Sequence, residues 1–179
     1  MDATRHSRNL SHLLITGTLC VLLAACASTP PHPNARRTSP QSQVTLRPVQ
    51  IDADQRANVI MTALGLLETR YQWGGSNFRQ GFDCSGLVKY VFAQATEADL
   101  PHNTAQIARI SRPIPRSQLQ PGDLVFFNTT GAPNSHMGIY LGENRFINAP
   151  STGGQVRVDS LNSAYYRRHF ESVRTLFAR

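Results

Sequence analysis

The apolar pattern of this chain changes period once, near Pro121, and that change limits what it can fold into. Upstream the period is helical. Ala57, Ile60, Met61, Leu64 and Leu67 recur on one face after a capping Asp52 or Asp54, which predicts a helix through about Thr69. Leu87, Val88, Val91 and Phe92 predict a second helix that starts at Asp83 or Cys84. The capping-box spacing of Asn103 and Gln106 predicts a short third helix to about Ile110. A loop with Gly74, Gly75 and Gly81 separates the first two helices. Downstream of Pro121, residues 124–127, 137–141, 146–148, 156–158 and 172–177 are short apolar runs bounded by turn residues. Helices first and strands afterwards predict an α+β domain with an antiparallel sheet.

The patterned region is residues 51–179, and what precedes it reads differently. Residues 1–25 have the proportions of a signal peptide: Arg5 and Arg8, then an apolar stretch too short to span a bilayer. The stretch ends Leu23-Ala24-Ala25-Cys26, which matches the bacterial lipobox, whose cysteine is lipidated and becomes the mature N-terminus. Ala27, rather than Asp, follows it, and by the sorting rule of such signals the destination is the outer membrane, facing the periplasm. Residues 26–50 carry five prolines among polar residues and read as a tether. In polyproline II such a segment extends roughly 3.1 Å per residue, so it reaches on the order of 70 Å. Of the three cysteines, Cys20 leaves with the leader and Cys26 is the anchor, so Cys84 is the only thiol of the mature chain and no intramolecular disulfide can form.

Cys84 stands in Phe82-Asp83-Cys84-Ser85-Gly86, after the glycine loop and outside the apolar stripe of its own helix. At a helix N-terminus the dipole and free N–H groups favour thiolate. A buried structural cysteine is the competing reading. A nucleophilic thiol needs a base, and the patterned region holds three histidines: His102, His136 and His169. His136 begins a predicted strand, and Asn148 ends the next one. If these strands form a hairpin about Gly142, Glu143 and Asn144, residues 136 and 148 lie opposite each other, and the carboxamide can orient the imidazole. Taken singly, a strand-edge histidine and a turn asparagine are ordinary; the three together suggest a Cys-His-Asn constellation.

Tyr71-Gln-Trp-Gly-Gly, Asp83-Cys-Ser-Gly, Leu100-Pro, Pro121-Gly-Asp-Leu-Val-Phe-Phe, His136-Met-Gly-Ile-Tyr-Leu-Gly and Phe146-Ile-Asn-Ala follow one another in this order. Together they resemble the NlpC-type cell-wall cysteine peptidases, from about residue 55 to the C-terminus. With the lipobox, the chain is similar to the outer-membrane murein endopeptidase lipoproteins among them. The resemblance implies a papain-like fold, peptidoglycan peptide stems as substrate, Cys84 as nucleophile and His136 as base. The family's third polar residue is most often His; here Asn148 stands there. Tyr71 matches a tyrosine near the nucleophile that can assist the oxyanion. Asp83 and Ser85 match positions that in some relatives hold a free amine, and they serve equally well as a helix cap. His102 stands where relatives often carry Arg and has no implied role. The amide bond cut can lie within a stem or in a cross-link.

The formal charge of +7 invites a polyanion. The leader argues against nucleic acid, and the arginines are scattered, with Arg36-Arg37 and Arg167-Arg168 as the only doublets. Carboxylate-rich cell wall is the fitting counter-charge. No cluster has zinc spacing and no phosphate loop is present, so no metal or cofactor is expected. A monomer is expected. The alternatives are a non-catalytic peptidoglycan-binding lipoprotein and a thiol amidase or acyltransferase on the same fold.

Overall fold

The computed structural model describes residues 48–178. The leader, Cys26 and the tether up to residue 47 lie outside the described residues. A 3₁₀ turn over Ala53–Gln55 leads into helix α1, Arg56–Leu64. A small hairpin follows, β1 (Ser76–Asn77) and β2 (Gly81–Phe82). It turns directly into α2, Cys84–Thr96. Helix α3 is Thr104–Ile110 and strand β3 is Arg112–Pro113. The C-terminal half holds β4 (Leu124–Phe127), β5 (His136–Gly142), β6 (Arg145–Asn148), β7 (Arg157–Ser160), helix α4 (Ala164–His169) and β8 (Phe170–Thr175). The main sheet has six antiparallel strands in the order β3-β8-β4-β5-β6-β7. The expected α+β class and the order of helices and strands hold.

Strand β4 explains how one sheet carries two cores. Its four residues are all buried, and alternate side chains point to opposite faces. Leu124 and Phe126 join Leu87, Val91, Phe92, Met137 and Ile139 in the core under α1 and α2. Val125 and Phe127 join Phe146, Leu161, Tyr166 and Val173 in a second core under α4. Ring centroids of Phe127, Phe146 and Tyr166 lie 4.8–5.1 Å apart, within the range of favourable aromatic packing.

Four expectations need correction. The buried face of α1 is Val59 and Ala63, followed by Leu66 in the turn beyond it, while Ala57 and Met61 are exposed. Arg56 shares that face and sets the rotation. Its guanidinium donates to Asp123 Oδ1 (2.9 Å) and the Pro121 carbonyl (2.8 Å), and it stacks 4.1 Å over the Phe177 ring. The helix also stops at Leu64, because the chain passes through Gly65 into tight turns that end at Glu68, in the left-handed region. The last two strands are displaced: 157–160 instead of 156–158, and 170–175 instead of 172–177. Helix α4, between them, was not expected. Ser163 caps it by accepting the Tyr166 N–H at 3.3 Å.

Candidate active site

Two glycines, Gly75 in the loop and Gly86 in the first turn of α2, bring the loop of residues 74–81 onto that helix. At Gly86 an added Cβ would lie 2.0 Å from the Gly75 carbonyl oxygen, and at Gly75 it would lie 2.4 Å from the Gly81 oxygen. Only hydrogen at both positions lets the loop seat against the first turn of α2, where Cys84 stands. Asp83 caps that turn. Its Oδ1 accepts from the Gly86 N–H (2.7 Å) and Ser85 Oγ (2.9 Å), and its Oδ2 accepts from the Gly74 N–H (3.0 Å). His102 Nε2 lies 3.0 Å from both oxygens. Asp83 and Ser85 therefore act first on each other and on the backbone, and His102, to which the sequence assigned nothing, is the outer partner of that carboxylate.

Cys84 is partly buried, and the backbone N–H of Met137, at the start of β5, points at its sulfur. The N–H groups of Cys84 and Ser85 do the same. The adjoining residue is His136, 8% exposed, whose Nε2–H donates to Asn148 Oδ1 at 2.9 Å. The structure thus brings Cys84, His136 and Asn148 to one place. Tyr71 is packed against the same core, close enough for the Cys84 and Asp83 charges to raise its pKa, after burial as the larger cause. Its hydroxyl makes no hydrogen bond among the described residues.

The route by which His136 and Asn148 meet differs from the expected one. The β5–β6 register pairs Ile139 with Ile147 and Tyr140 with Phe146, with an irregularity before Gly142 and Arg145. Continued one step, it sets Asn148 opposite Gly138, and His136 becomes the diagonal neighbour. Diagonal pairs on one face remain within reach of side chains. Gly138 keeps that diagonal open: an added Cβ there would lie 3.2 Å from Asn148 Cβ and 2.7 Å from the Ile147 oxygen.

The electrostatics also depart from the expected thiolate. Burial, and then the Asp83 carboxylate, push the Cys84 thiol from 9.0 up to about 11, against the smaller opposing effect of the three N–H groups. His136 is held below its ordinary value, chiefly by burial, although the Asn148 hydrogen bond and the Asp159 charge oppose this. Both shifts run in the same sense, toward a thiol beside a neutral imidazole rather than an ion pair.

Beyond Asn148 lies a layer that the sequence did not announce. Asn148 Nδ2 donates to Asp159 Oδ2 (2.9 Å), Arg157 Nε donates to the same oxygen (2.9 Å), and the Tyr166 hydroxyl lies 3.0 Å from Asn148 Oδ1 and 3.2 Å from Asp159 Oδ2. A cavity of about 310 Å³ opens here beside His136, lined among others by Arg157, Asp159, Ser163 and Tyr165. Alternation of Arg157 and Asp159 along β7 puts both on one face, but nothing in the sequence says that this face meets Asn148.

This arrangement has counterparts. The NlpC/P60 family profile matches residues 68–175. Murein DD-endopeptidase MepH of Escherichia coli (strain K12) is 42% identical over 107 residues, 58% of this chain and 40% of that protein. Probable endopeptidase YafL of the same strain is 34% identical over 133 residues, 70% of this chain and 53% of that protein. Murein DD-endopeptidase MepS/Murein LD-carboxypeptidase, also of that strain, is 29% identical over 171 residues, 90% and 89% of the two chains. The chain therefore spans about half the length of two of these relatives and most of the third. Among solved structures, the NlpC/p60 domain of peptidoglycan hydrolase SagA superposes with a TM-score of 0.59 at 32% identity, covering 67% of this chain and 97% of that one.

Proposed function

The chain belongs to the NlpC/P60 family, and from that premise we propose that it is a cysteine endopeptidase that hydrolyses an amide bond in the peptide stems or cross-links of peptidoglycan. The observation that carries this reading is the Cys84 thiol at the start of α2, under the Met137 N–H, beside a His136 imidazole held by Asn148. Because Nε2 carries the hydrogen given to Asn148, Nδ1 is the free base. The thiol proton passes to Nδ1 as sulfur attacks the amide carbonyl, and the carbonyl electrons move onto oxygen. The Cys84 N–H and the Tyr71 hydroxyl stabilise that oxyanion. Its collapse breaks the C–N bond, His136 protonates the departing amine, and a thioester remains. Water, deprotonated by His136, then releases the acid and restores the thiol. Starting from a neutral pair, proton transfer accompanies attack rather than preceding it.

The test is digestion of purified sacculi by the full-length protein, followed by mass spectrometry of the soluble fragments. New stem fragments are expected, and alkylation of Cys84 should abolish them. The alkylation rate of the Cys84 peptide should climb steadily from pH 7 toward the raised value near 11. Fragments unaffected by alkylation would overturn the thiol mechanism, and a rate already at its plateau at pH 7 would overturn the neutral thiol. The mass of each fragment identifies the bond: the DD-endopeptidase names of two relatives favour the cross-link.

We further propose that Cys26 is lipidated and holds the domain at the outer membrane, on the strength of the lipobox Leu23-Ala24-Ala25-Cys26. Two or three acyl chains, at about 0.8 kcal/mol per buried CH₂, anchor stably. Cys26→Ser should move the protein from the membrane fraction to the soluble one; unchanged partition would sink the anchor.

A further inference from the structure

The Asn148 carboxamide is wholly buried and has two possible orientations, related by a flip of its oxygen and nitrogen. Its surroundings accept only one. On one side stand two acceptors, Asp159 Oδ2 at 2.9 Å and the Arg157 carbonyl at 3.4 Å. On the other stand two groups able to donate, His136 Nε2 at 2.9 Å and the Tyr166 hydroxyl at 3.0 Å. A carboxylate has no hydrogen to give, so a flipped amide would set oxygen against oxygen at Asp159 and an N–H₂ against His136.

We propose that Asp159 is a positioning residue of the site: its carboxylate locks the Asn148 amide and thereby selects the His136 tautomer that leaves Nδ1 free to accept a proton. Asp159 does not touch the reacting atoms. It is itself held by Arg157 Nε at 2.9 Å, on the adjacent turn of the β7 pleat. The inference also supplies what a neutral third residue lacks. Asn148 brings no charge to the imidazolium that forms in the reaction, whereas Asp159, one amide further out, does. The charged and titratable groups facing His136 are Asp159, whose charge favours the imidazolium, Arg157, which opposes it, and the Tyr166 ring stacked at 6.2 Å, while Cys84 of α2 lies under the N–H of the adjoining Met137.

The proposal rests on His136 acting as the base, so its test begins with a measurement that needs no substrate. ¹⁵N NMR of the His136 imidazole in the wild-type protein should give the Nε2–H tautomer; the Nδ1–H tautomer overturns the proposal whatever any variant does. In Asp159→Asn, whose new amide can present either face to Asn148, a mixture of tautomers is expected. With sacculi fragments, kcat of Asp159→Asn should fall about 10- to 100-fold with KM unchanged, less than the roughly 10⁴-fold known for losing a direct tautomer-setting carboxylate. Removing the negative charge disfavours imidazolium, so the acid limb of the rate profile should move to lower pH. Placed on Asn148→Ala, the same substitution should cost nothing more. A folded Asp159→Asn with the wild-type tautomer, acid limb and kcat overturns the proposal, as does an undiminished cost in the Asn148→Ala background. Absence of any cleavage by the wild type would instead sink the peptidase reading and leave the tautomer result standing.

Discussion

Cys84→Ala, His136→Ala and the double variant are expected to be equally inactive on sacculi, each at least about 10³-fold below the wild type, because residues that act as one unit lose their joint contribution when either is removed. Alanine at 84 removes the atom that forms the thioester. Alanine at 136 leaves a thiol whose pKa stands near 11, with nothing to take its proton at neutral pH. A thiol of that kind is a far weaker nucleophile than the thiolate. Asn148→Ala should cost less, about 10²-fold, because the imidazole remains and only its Nε2 partner is lost. The ordering is the discriminating result. Equal loss at 136 and 148 would mean that Asn148 does more than orient, and clear activity in His136→Ala would remove the base from the mechanism.

Gly86→Ala is expected to have the largest effect on stability. The new methyl would meet the Gly75 carbonyl oxygen at 2.0 Å, a backbone atom fixed by its own bond from the Asp83 N–H at 3.0 Å. Neither α2 nor the loop can yield without separating. Overpacking of this kind costs about 3 kcal/mol, or roughly 10 °C in Tm for a domain of this size. The shift would also carry Cys84 away from Met137, so activity should fall together with stability. Gly65→Ala is the matched comparison. Its nearest neighbour would lie at 3.5 Å, and its backbone is right-handed helical, so a change within about 1 kcal/mol, in the stabilising direction, is expected. Thermal unfolding followed by circular dichroism reads both; equal Tm values for the two variants would contradict the close-packing argument.

The positions of α2, α3, β4, β5 and β6 were legible because local signals agreed with tertiary need: a capping Asp83 or Asn103, a clean apolar stripe, turn residues at strand ends. The face of α1 was not. Its sequence contains two stripes, and Arg56, a charged residue, decides between them through a partner 67 positions away. Cys84, His136 and Asn148 could be singled out from residue type and spacing. The register that joins the last two could not, because the turn centres between Glu143 and Asn144 rather than on Gly142, and the irregularity between Tyr140 and Gly142 makes up only part of that offset. Asp159 and Tyr166 were out of reach altogether. Their meaning arises from β7 and α4 closing over Asn148, which no local pattern encodes.

Nucleophile and base meet at one site but are packed against different cores. Cys84 is packed against the core beneath α1 and α2, whereas the ring of His136 rests among Phe127 and Tyr166 of the other. Strand β4 is common to both cores, through Leu124 and Phe126 on one face and Val125 and Phe127 on the other. If α4 lifts, the base loses its scaffold while the thiol stays in place, protonated and inert. The geometry between thiol and imidazole therefore depends on the packing of both cores at once.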